Sequence, residues 1–462
     1  MATLTFLGAA RTVTGSKYLL HIDGHHLLVD CGLFQGLKEL RERNWAQLPV
    51  HPAALHAVVL THAHIDHSGW LPRLVANGFR GPIYCTPGTA DLCTLVLPDA
   101  GHLQEEDARF ANRARFTKHS PALPLFTEAD AHQALTQIQR IDFNRKTSVS
   151  PSVDVEYMNA GHLLGSAFVR MTRTDGKGGT VLFGGDLGRY GRPVLPDPKP
   201  GVEADVLLVE STYGDRIHPK DDDGEVLAEI VKETVAAKGK LIVPAFAIGR
   251  VEEVLYWLRR LEQTGRIPKV PVFVDSPMAV KALDHYRSHA LELDQDSRPG
   301  ATEVSAFATA RFEPVETAQE SKKVTAMSGP AIVISSSGMA TGGRVLHHLA
   351  AGLPDPRNTV LFVGFQAAGT RGRQLVDGIS EVKIHGRFVP VQARVRKIDG
   401  MSAHADAGEI VRWLRTFPRA PKMTYLVHGE PTAQTALQTR ITAELKWPTL
   451  IPQHGQKVDV PL

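Results

Sequence analysis

The stretch LTHAHIDHSGW, residues 60–70, places four candidate metal ligands within six residues: His62, His64, Asp66 and His67. Imidazole nitrogens and carboxylate oxygens are ligands that Zn²⁺ and similar ions take in proteins. Residues two apart on an extended chain point to the same side, so His62 and His64 can face one ion. A polar loop that happens to be rich in histidine is the alternative. The density of the cluster favours one half of a metal site.

Further candidate ligands stand elsewhere in the chain, each directly after an apolar run. They are His162 in NAGHLLGS, Asp186 in VLFGGDLG and His428 in YLVHGE, and Asp30 follows HHLLV in the same way. Taken singly, each is typical of a cap or turn residue. Their shared position at the end of a predicted strand is where functional residues on a rigid sheet edge belong. Asp30 is predicted to orient a ligand rather than to bind the ion itself.

Two kinds of elements must position these residues. The first 60 residues contain short strand patterns such as LTFLGA, KYLLHI and HHLLVDCG, and HAVVLTHAH is a strand that ends on the histidines. From about residue 211 to 385, strand patterns alternate with helical ones, which predicts βαβ units on a parallel sheet. The C-terminal part mixes both. Periodicity alone leaves open whether two domains follow one another or one is inserted into the other.

The motifs together resemble a known family. THAHIDHSG with His162, Asp186 and a distal histidine resembles the metallo-β-lactamase-fold hydrolases. The ordered set VDCGLFQG, VESTYGDR, PAFAIGR, DSPMA, SSSGMATGGR, GFQAAGTRGR, SAHAD and VHGE is similar to the β-CASP nucleases, which include the endonuclease subunit of the cleavage and polyadenylation specificity factor and its bacterial and archaeal relatives.

The resemblance runs through nearly the whole chain and implies an α/β fold. This fold is an αββα sandwich of two sheets, with an inserted β-CASP α/β domain that closes over the site as a lid. We therefore expect the first part of the metallo-β-lactamase domain at residues 1–210, the β-CASP domain at 211–385 and the completing part of the metallo-β-lactamase domain at 386–462.

The resemblance also implies a division of the ligands between two zinc ions, with Mn²⁺ as an alternative metal. One ion takes His62, His64 and His162, the other takes Asp66, His67 and His428, and Asp186 bridges both. Asp30 corresponds to the acid of the first family motif, which supports a ligand.

Two neighbouring cations can share a water, lower its pKa and hold a phosphate oxygen. We expect the resulting hydroxide to attack phosphorus, with Asp66 accepting a hydrogen bond from it. His404, in SAHAD, matches the phosphate-side histidine of the family and is predicted to contact the scissile phosphate and to deliver a proton. Without the resemblance, His404 reads as a helix-start residue. Glu210 matches the first nuclease-specific acid, and it is expected to fix the tautomer of His404 and raise its pKa.

Phosphate and RNA contacts are predicted in the β-CASP part. SSSGMATGG, residues 335–343, lies between a strand and a helix, where backbone N–H groups make an anion site; a Gly-rich turn is the alternative. The window 383–399 holds five basic residues against the single acid Asp399 and is interpreted as part of an RNA path rather than as a solvated face. The candidate contact residues are Ser335, Ser336, Ser337, Gly338, Met339, Arg344, Arg371 and Arg373.

Composition narrows the class of protein. At 462 residues the chain is too long for one ordinary core. A net charge of +3 is small, so any surface that binds nucleic acid must be local. Three cysteines without a CxxC pair argue against a disulfide framework and fit a reducing compartment. No apolar run approaches the ~18 residues of a membrane span. We expect a cytoplasmic protein without a membrane partner, and family members suggest a homodimer.

The sequence therefore predicts a zinc-dependent ribonuclease that hydrolyses phosphodiester bonds of single-stranded RNA through a dimetal-bound hydroxide, in RNA processing or decay. Endonucleolytic cutting is favoured because SSSGMATGGR is closer to the cleavage-factor branch than to ribonuclease J; a 5′-to-3′ exoribonuclease is the alternative. A lactone or thioester hydrolase would not need the long β/α insertion. A metal-free RNA-binding scaffold is opposed by the complete set of ligands.

Overall fold

The computed structural model describes residues 2–114, 119–219, 224–298, 306–364, 366–367 and 369–462. The chain divides into two compact units. Unit 1 comprises Met1–Gly191, Asp197–Ile217 and His404–Leu462, and unit 2 comprises Arg192–Pro196 and His218–Ala403. Along the chain, unit 2 interrupts unit 1.

The long segment of unit 2 begins and ends later in the sequence than the boundaries predicted after residues 210 and 385. The chain enters the long segment of unit 2 after Ile217 and leaves it after Ala403. The second shift has a simple cause, because the strands at Arg387–Pro390 and Arg394–Lys397 pair with strands of unit 2.

Unit 1 is built on two seven-stranded sheets. The first contains, in spatial order, β22 (Lys457–Val460), β1 (Ala2–Phe6), β2 (Tyr18–Ile22), β3 (His25–Val29), β4 (Leu55–Val59), β5 (Ile83–Cys85) and β6 (Ile138–Arg140). The second contains β21 (Thr449–Leu450), β20 (Met423–Val427), β11 (Val206–Glu210), β10 (Thr180–Phe183), β9 (Ala167–Arg173), β8 (Val153–Asn159) and β7 (Thr147–Ser150).

The main core of unit 1 lies between these two sheets. Alternate residues of the first sheet, such as Leu20 and Val59, join alternate residues of the second, such as Val169 and Leu208, in one buried cluster. Side chains of a strand alternate between its two faces, so this pattern gives each sheet an inward apolar face. The predicted sandwich of two packed sheets is confirmed.

Helices accompany both sheets of unit 1. They are α1 (Lys38–Glu42), α2 (Ile65–Ser68), α3 (Leu71–Ala76), α4 (Pro87–Ala114), α5 (Glu128–Leu135), α12 (Ala407–Leu414) and α13 (Pro431–Leu445). Helices α12 and α13 bury apolar residues such as Trp413 and Leu437 in a second cluster, together with outward-facing residues of the second sheet such as Leu207. These contacts cover that sheet on its outer side, as the αββα fold requires.

Unit 2 has a sheet of six strands in which all neighbouring strands are parallel. Its spatial order is β14 (Phe312–Pro314), β13 (Val272–Asp275), β15 (Ala331–Ser335), β12 (Lys240–Pro244), β16 (Thr359–Phe362) and β19 (Arg394–Lys397). Between these strands run α6 (Glu225–Ala236), α7 (Arg250–Gln263), α8 (Pro277–Ser288), α9 (Ala318–Ala326), α10 (Val345–Gly352) and α11 (Arg371–Val376). The predicted βαβ organisation on a parallel sheet is confirmed.

A separate two-stranded hairpin completes unit 2. It pairs β17 (Glu381–Ile384) with β18 (Arg387–Pro390) in antiparallel register. Within the described residues of both units, no helix is long and apolar enough to cross a lipid bilayer.

Candidate functional site

The carboxyl ends of three strands meet at one edge of the second sheet of unit 1. Strand β10 runs parallel to β11, and β11 runs parallel to β20, with Glu210 opposite Val427. Parallel strands present their carboxyl ends at the same edge, where α/β proteins commonly place their sites. Asp186 follows β10, Glu210 ends β11 and His428 follows β20, so the insertion of unit 2 does not separate these three residues in space.

The histidine-rich stretch enters from the other sheet. His62 and His64 lie on the loop after β4, and Asp66 and His67 lie on the short helix α2. The backbone of residues 31–33 packs directly on this helix, since the N–H of Cys31 donates to the carbonyl of His67 at 2.7 Å. Gly32 is required here because a Cβ at this position would lie 1.6 Å from the carbonyl oxygen of Asp66. Gly32, three residues after the end of β3, therefore allows the chain to pack closely against the short helix that carries two of the candidate ligands.

The first group of candidate ligands consists of His62, His64, His162 and Asp186, whose ligand atoms all lie within 4.8 Å of one another. The Nδ1 atom of His64 lies 3.0 Å from Nε2 of His62 and 3.2 Å from Nε2 of His162. Asp186 Oδ2 lies 3.4 Å from Nε2 of His62. The same four residues were grouped at one ion by the resemblance.

The second group consists of Asp66, His67 and His428. Asp66 Oδ2 lies 3.2 Å from Nε2 of His428 and 4.0 Å from Nε2 of His67. The other oxygen of Asp186, Oδ1, lies 3.3 Å from Nε2 of His67 and 3.5 Å from Nδ1 of His428. One oxygen of Asp186 therefore faces each group, which is the geometry expected of a bridging carboxylate.

Several buried polar atoms at the centre of this arrangement have no hydrogen-bond partner among the described residues. They are both carboxylate oxygens of Asp186 and Nε2 of His67. Asp186 and His67 are each 1% exposed. A buried polar atom without a partner is costly, and native proteins leave very few. Imidazole nitrogens and carboxylate oxygens that converge in this state fit divalent cations such as zinc, which satisfy lone pairs that no protein group satisfies.

The pKa values of the histidines fit the same interpretation. Burial lowers the pKa of His62 to about 3 and that of His64 to about 4, so both rings are neutral at physiological pH, the form in which imidazole binds a metal. Burial also lowers the pKa of His67, but the carboxylates of Asp186 and Asp30 outweigh it and raise that pKa well above its ordinary value. The two carboxylates thus favour a positive charge at this place, which a bound cation would supply instead.

Hydrogen bonds fix which nitrogen of each ring faces the site. Asp30 Oδ2 lies 2.8 Å from Nδ1 of His67, so this ring presents Nε2. The hydroxyl of Thr61 lies 3.1 Å from Nδ1 of His62 and 3.0 Å from Asp30 Oδ2. The predicted supporting role of Asp30 therefore has a geometric basis, and its left-handed backbone (φ 56°), rare for a residue other than glycine, marks a constrained position.

Three hydroxyl residues that sequence reasoning missed support the ligands in this way. Thr61 is one of them. Thr212 Oγ1 lies 3.0 Å from Nδ1 of His428, and Ser166 Oγ accepts the backbone N–H of His162 at 3.0 Å. Thr61 lies directly before the candidate ligand His62, and Thr212 lies two residues after Glu210. This closeness in sequence to a candidate ligand or an acid was the available signal for both.

His404 and Glu210 form a third pair at the same sheet edge. Nδ1 of His404 lies 3.1 Å and 3.2 Å from the two carboxylate oxygens of Glu210, which is fully buried. Burial lowers the pKa of His404, but the charges of Glu210 and Asp186 outweigh it and raise the pKa to about 9. The loop after Asp186 holds His404 through a bridge between Gly188 and His404. The next helix begins with a capping box at Asp406, which fixes the entry of the chain.

The candidate phosphate contacts all lie in unit 2, and most are engaged in holding their own loops. Ser335 is fully buried and donates to the carbonyl of Asp275, while Ser336 donates to the hydroxyl of Ser276. Ser337 Oγ accepts the N–H of Thr341, closing the serine–glycine loop on itself. Gly338 and Met339 belong to the same loop; a Cβ on Gly338 would lie 2.8 Å from the ring of Phe246, and the carbonyl of Met339 accepts the N–H of Gly372.

The three arginines predicted to contact phosphate are likewise bound within unit 2. Arg344 donates to Asp275 at 2.8 Å and to the carbonyl of Glu316. Arg371 donates to the carbonyls of Lys383 and Thr341, and Arg373 pairs with Asp377 at 2.8 Å. Two residues of the GFQAAGTRGR motif, Phe365 and Ala368, lie outside the described residues. Contact of this set with RNA stays a prediction.

Models of three protein families match the chain. They are the metallo-beta-lactamase superfamily over residues 11–244, the Beta-Casp domain over 251–375 and the Zn-dependent metallo-hydrolase RNA specificity domain over 389–452. A solved structure of a protein of unknown function from Enterococcus faecalis has a TM-score of 0.54 at 12% identity and covers 100% of both chains, which is a likeness of fold alone.

Three curated relatives match over most of the chain. Ribonuclease TTHA0252 of Thermus thermophilus is 38% identical over 93% of this chain and 94% of its own length. The transcription termination factor FttA of Methanosarcina mazei is 31% identical over 96% of this chain and 69% of its own length. An RNase J-like protein of Methanocaldococcus jannaschii is 30% identical over 98% of this chain and 99% of its own length.

These matches agree with the architecture of both units and with the cluster of histidines and acids in unit 1. The chain is a metal-dependent nuclease that belongs to the β-CASP ribonucleases of the metallo-β-lactamase superfamily.

Proposed function

We propose that the chain is a zinc-dependent ribonuclease with two zinc ions, which cuts single-stranded RNA endonucleolytically during RNA processing or decay in the cytoplasm. The single observation that carries the proposal is the arrangement around Asp186. Each of its carboxylate oxygens faces a separate group of candidate ligands, and both oxygens are buried without a hydrogen bond among the described residues. A carboxylate in that state fits a bridge between two cations.

We assign the candidate ligands to the two cations as the resemblance implies. His62, His64 and His162 would hold one cation and Asp66, His67 and His428 the other. When bound, two cations at such a site supply Lewis acidity, activate water and offset charge that develops on a phosphate. Mn²⁺ would fit the same donor set, and metal analysis of the purified protein decides between the two ions.

The chain's own residues would contribute orientation and a proton. Asp66 is the most exposed candidate ligand carboxylate, with 20% of its side chain accessible, so it can orient an incoming water as well as bind a cation. His404 would carry the proton for the leaving oxygen. Its Nδ1 is held by Glu210, which fixes the tautomer and turns Nε2 away from that carboxylate.

Endonucleolytic cutting is the more specific part of the proposed function. Its support is the serine–glycine motif SSSGMATGGR, which is closer to the cleavage-factor branch than to ribonuclease J. The relative named RNase J-like favours the 5′-to-3′ exoribonuclease as the second candidate.

A circular RNA separates the two candidates because it has no ends. We expect the zinc-loaded protein to cut both a covalently closed single-stranded RNA and the linear 5′-monophosphate RNA of the same sequence. The His64→Ala variant should cut neither. Degradation of the linear RNA alone would replace the endonuclease by the exonuclease. Hydrolysis of lactones or thioesters without cleavage of any RNA would overturn the proposal as a whole. A homodimer stays a prediction, which sedimentation of the purified protein tests.

A further inference from the structure

One face of the hairpin of β17 and β18 is exposed to solvent. Its two-residue turn, His385 and Gly386, has positive φ at both positions (48° and 79°), the geometry that suits a tight antiparallel hairpin. On one face, Val382 and Ile384 are each 1% exposed and belong to a buried apolar cluster of unit 2. The register therefore places the alternate residues of both strands on the opposite, outer face.

That outer face carries an exposed aromatic ring with a lysine ammonium group next to it. Phe388 is 64% exposed, an unusual state for so large an apolar side chain. It stands directly opposite Lys383 in the hairpin register, and Nζ of Lys383 lies 6.0 Å from the centre of the ring. A one-residue slip of β18 would move Phe388 to the inner face in place of Val389, which packs against the buried cluster, so the register of the hairpin specifies the exposure of the ring.

The cation beside the ring is not neutralised. Within the described part of the chain, Lys383 forms no ion pair, although Glu381 lies on the same strand and arginines elsewhere in unit 2 are paired. An unpaired cation beside an exposed aromatic ring fits a ligand that carries both phosphates and flat rings. Single-stranded nucleic acid has this chemistry, since bases stack on aromatic side chains while the backbone tracks a positive groove.

The hairpin is also fixed next to the serine–glycine loop. Nε of Arg371 donates to the carbonyl of Lys383 at 2.7 Å, and its Nη1 donates to the carbonyl of Thr341 at 3.1 Å. Arg371 therefore joins the two segments within unit 2. A strand of RNA that reached the ring would lie beside the loop that the sequence predicts to bind phosphate.

We propose that Phe388 is a stacking platform for a base of single-stranded RNA, with Lys383 contacting an adjacent phosphate. The inference rests on the proposed ribonuclease function and adds a substrate-binding surface to it. A second copy of the chain is the other occupant that an exposed aromatic face could take. The unpaired Lys383 beside the ring and the link through Arg371 to the serine–glycine loop favour RNA, and measurements of RNA affinity and oligomeric state distinguish the two occupants.

The test measures RNA binding in the full chain with the His64→Ala substitution, so that the RNA is not cut. Binding of a short single-stranded RNA is followed by fluorescence anisotropy. We expect Phe388→Ala to weaken binding about 5-fold or more, in line with the loss of one stacked base. Leu291→Ala, which removes an 86% exposed apolar side chain elsewhere in unit 2, is the matched control and should bind as the parent does.

Phe388→Trp supplies a direct readout of stacking. This variant should bind as tightly as the parent, and RNA should quench its added emission. An abasic strand of the same length carries the same charge without bases and should not quench it. Unchanged affinity of Phe388→Ala, or equal quenching by the abasic strand, overturns the stacking proposal. A change of oligomeric state without a change in RNA affinity overturns it in favour of a contact between copies.

Cleavage of RNA by the parent chain tests the proposed function independently of the stacking platform. If the chain without substitutions cuts circular RNA while Phe388→Ala binds RNA at full strength, the stacking platform alone is wrong. If the chain neither binds nor cuts any RNA, both proposals fail together.

Discussion

Unit 1 and unit 2 each bury a cluster of histidine and aspartate, and the two clusters differ in how their polar atoms are satisfied. In unit 2, Asp275 is fully buried and accepts hydrogen bonds from Ser321 at 2.5 Å, His348 at 2.6 Å and Arg344 at 2.8 Å. In unit 1, Asp186 is equally buried, yet both of its oxygens lack a hydrogen bond among the described residues. The hydrogen bonds of the buried aspartate are thus complete in the cluster of unit 2 and incomplete in the cluster of unit 1.

The difference separates a structural cluster from a functional one. Burial opposes ionisation of Asp275, but His348, Ser321 and Arg344 outweigh it and lower its pKa, so the charge is held by the protein alone. A fully satisfied buried network rigidifies its surroundings, here the end of β13, which pairs with the strand that precedes the serine–glycine loop. The cluster around Asp186 needs an additional positive charge to reach the same state, and this need is what points to cations.

The largest expected effect follows from removing the negative charge of Asp186 in the cluster of unit 1. Asp186→Asn keeps the shape of the side chain and removes the bridge. We expect kcat/KM for RNA cleavage to fall about 1000-fold or more, because stabilisation of charge by bound cations amounts to several kcal/mol. Steady-state kinetics with added zinc measure the loss, and circular dichroism shows whether the fold is kept. Activity within tenfold of the parent would contradict the bridging role.

Breaking the complete cluster should cost stability instead. Asp275→Ala leaves Arg344 and His348 without their shared acceptor, and we expect the free energy of unfolding to fall by about 3–5 kcal/mol. Denaturant titration gives the value, and zinc content should not change. Asp284→Ala, which breaks an exposed pair with Arg287, is the matched control and should cost at most about 1 kcal/mol. Equal losses in the two variants would show that the cluster of unit 2 is not the structural one.

A smaller effect tests the hydroxyls that orient the ligands of the incomplete cluster. Thr212→Val is nearly isosteric and removes the oxygen that faces Nδ1 of His428. Loss of such a partner lowers metal affinity by about 10–100-fold. Competition with a chelator measures it, and Thr435→Val on the exposed side of α13 serves as the control. An affinity equal to that of the control variant would remove Thr212 from the site.

A gradual effect of pH is expected from a buried acid outside both clusters. Glu252, in unit 2, is fully buried, and this burial raises its pKa from the ordinary value of 4.5 to about 8. Between these values the folded chain holds a proton that the unfolded chain has released, so stability falls as the pH rises, by at most about 1.4 kcal/mol per pH unit. Glu252→Gln should flatten this slope in denaturant titrations from pH 5 to 8. An unchanged slope would show that Glu252 does not carry it.

Much of the site could be predicted from the sequence because its ligands follow apolar strands. The ends of β4, β10 and β20 were visible as apolar runs that stop at His62, Asp186 and His428. The strand order that brings these ends together was not visible, because β20 follows the insertion and still pairs with β11. The grouping of ligands therefore came from the resemblance, and the structure supplies its geometric basis.

The rest of the site could not be predicted because a sequence shows charge without showing partners. Arg344 and Arg371 were candidates for phosphate contact by type and position, yet both bind carbonyls or acids of unit 2. Thr61 and Thr212 have common hydroxyl side chains whose roles depend on a ring placed beside them by the fold. The exposure of Phe388 likewise depends on the register of its hairpin.

The stoichiometry of bound metal tests the central claim most directly. Mass spectrometry of the gently purified chain should find two zinc ions per molecule. His162→Ala and Asp66→Ala should each retain about one, since each removes a ligand from a different group, and Asp275→Ala should retain both. One ion in the unsubstituted chain, or the same metal content in all variants, would contradict the account of two cations joined by Asp186.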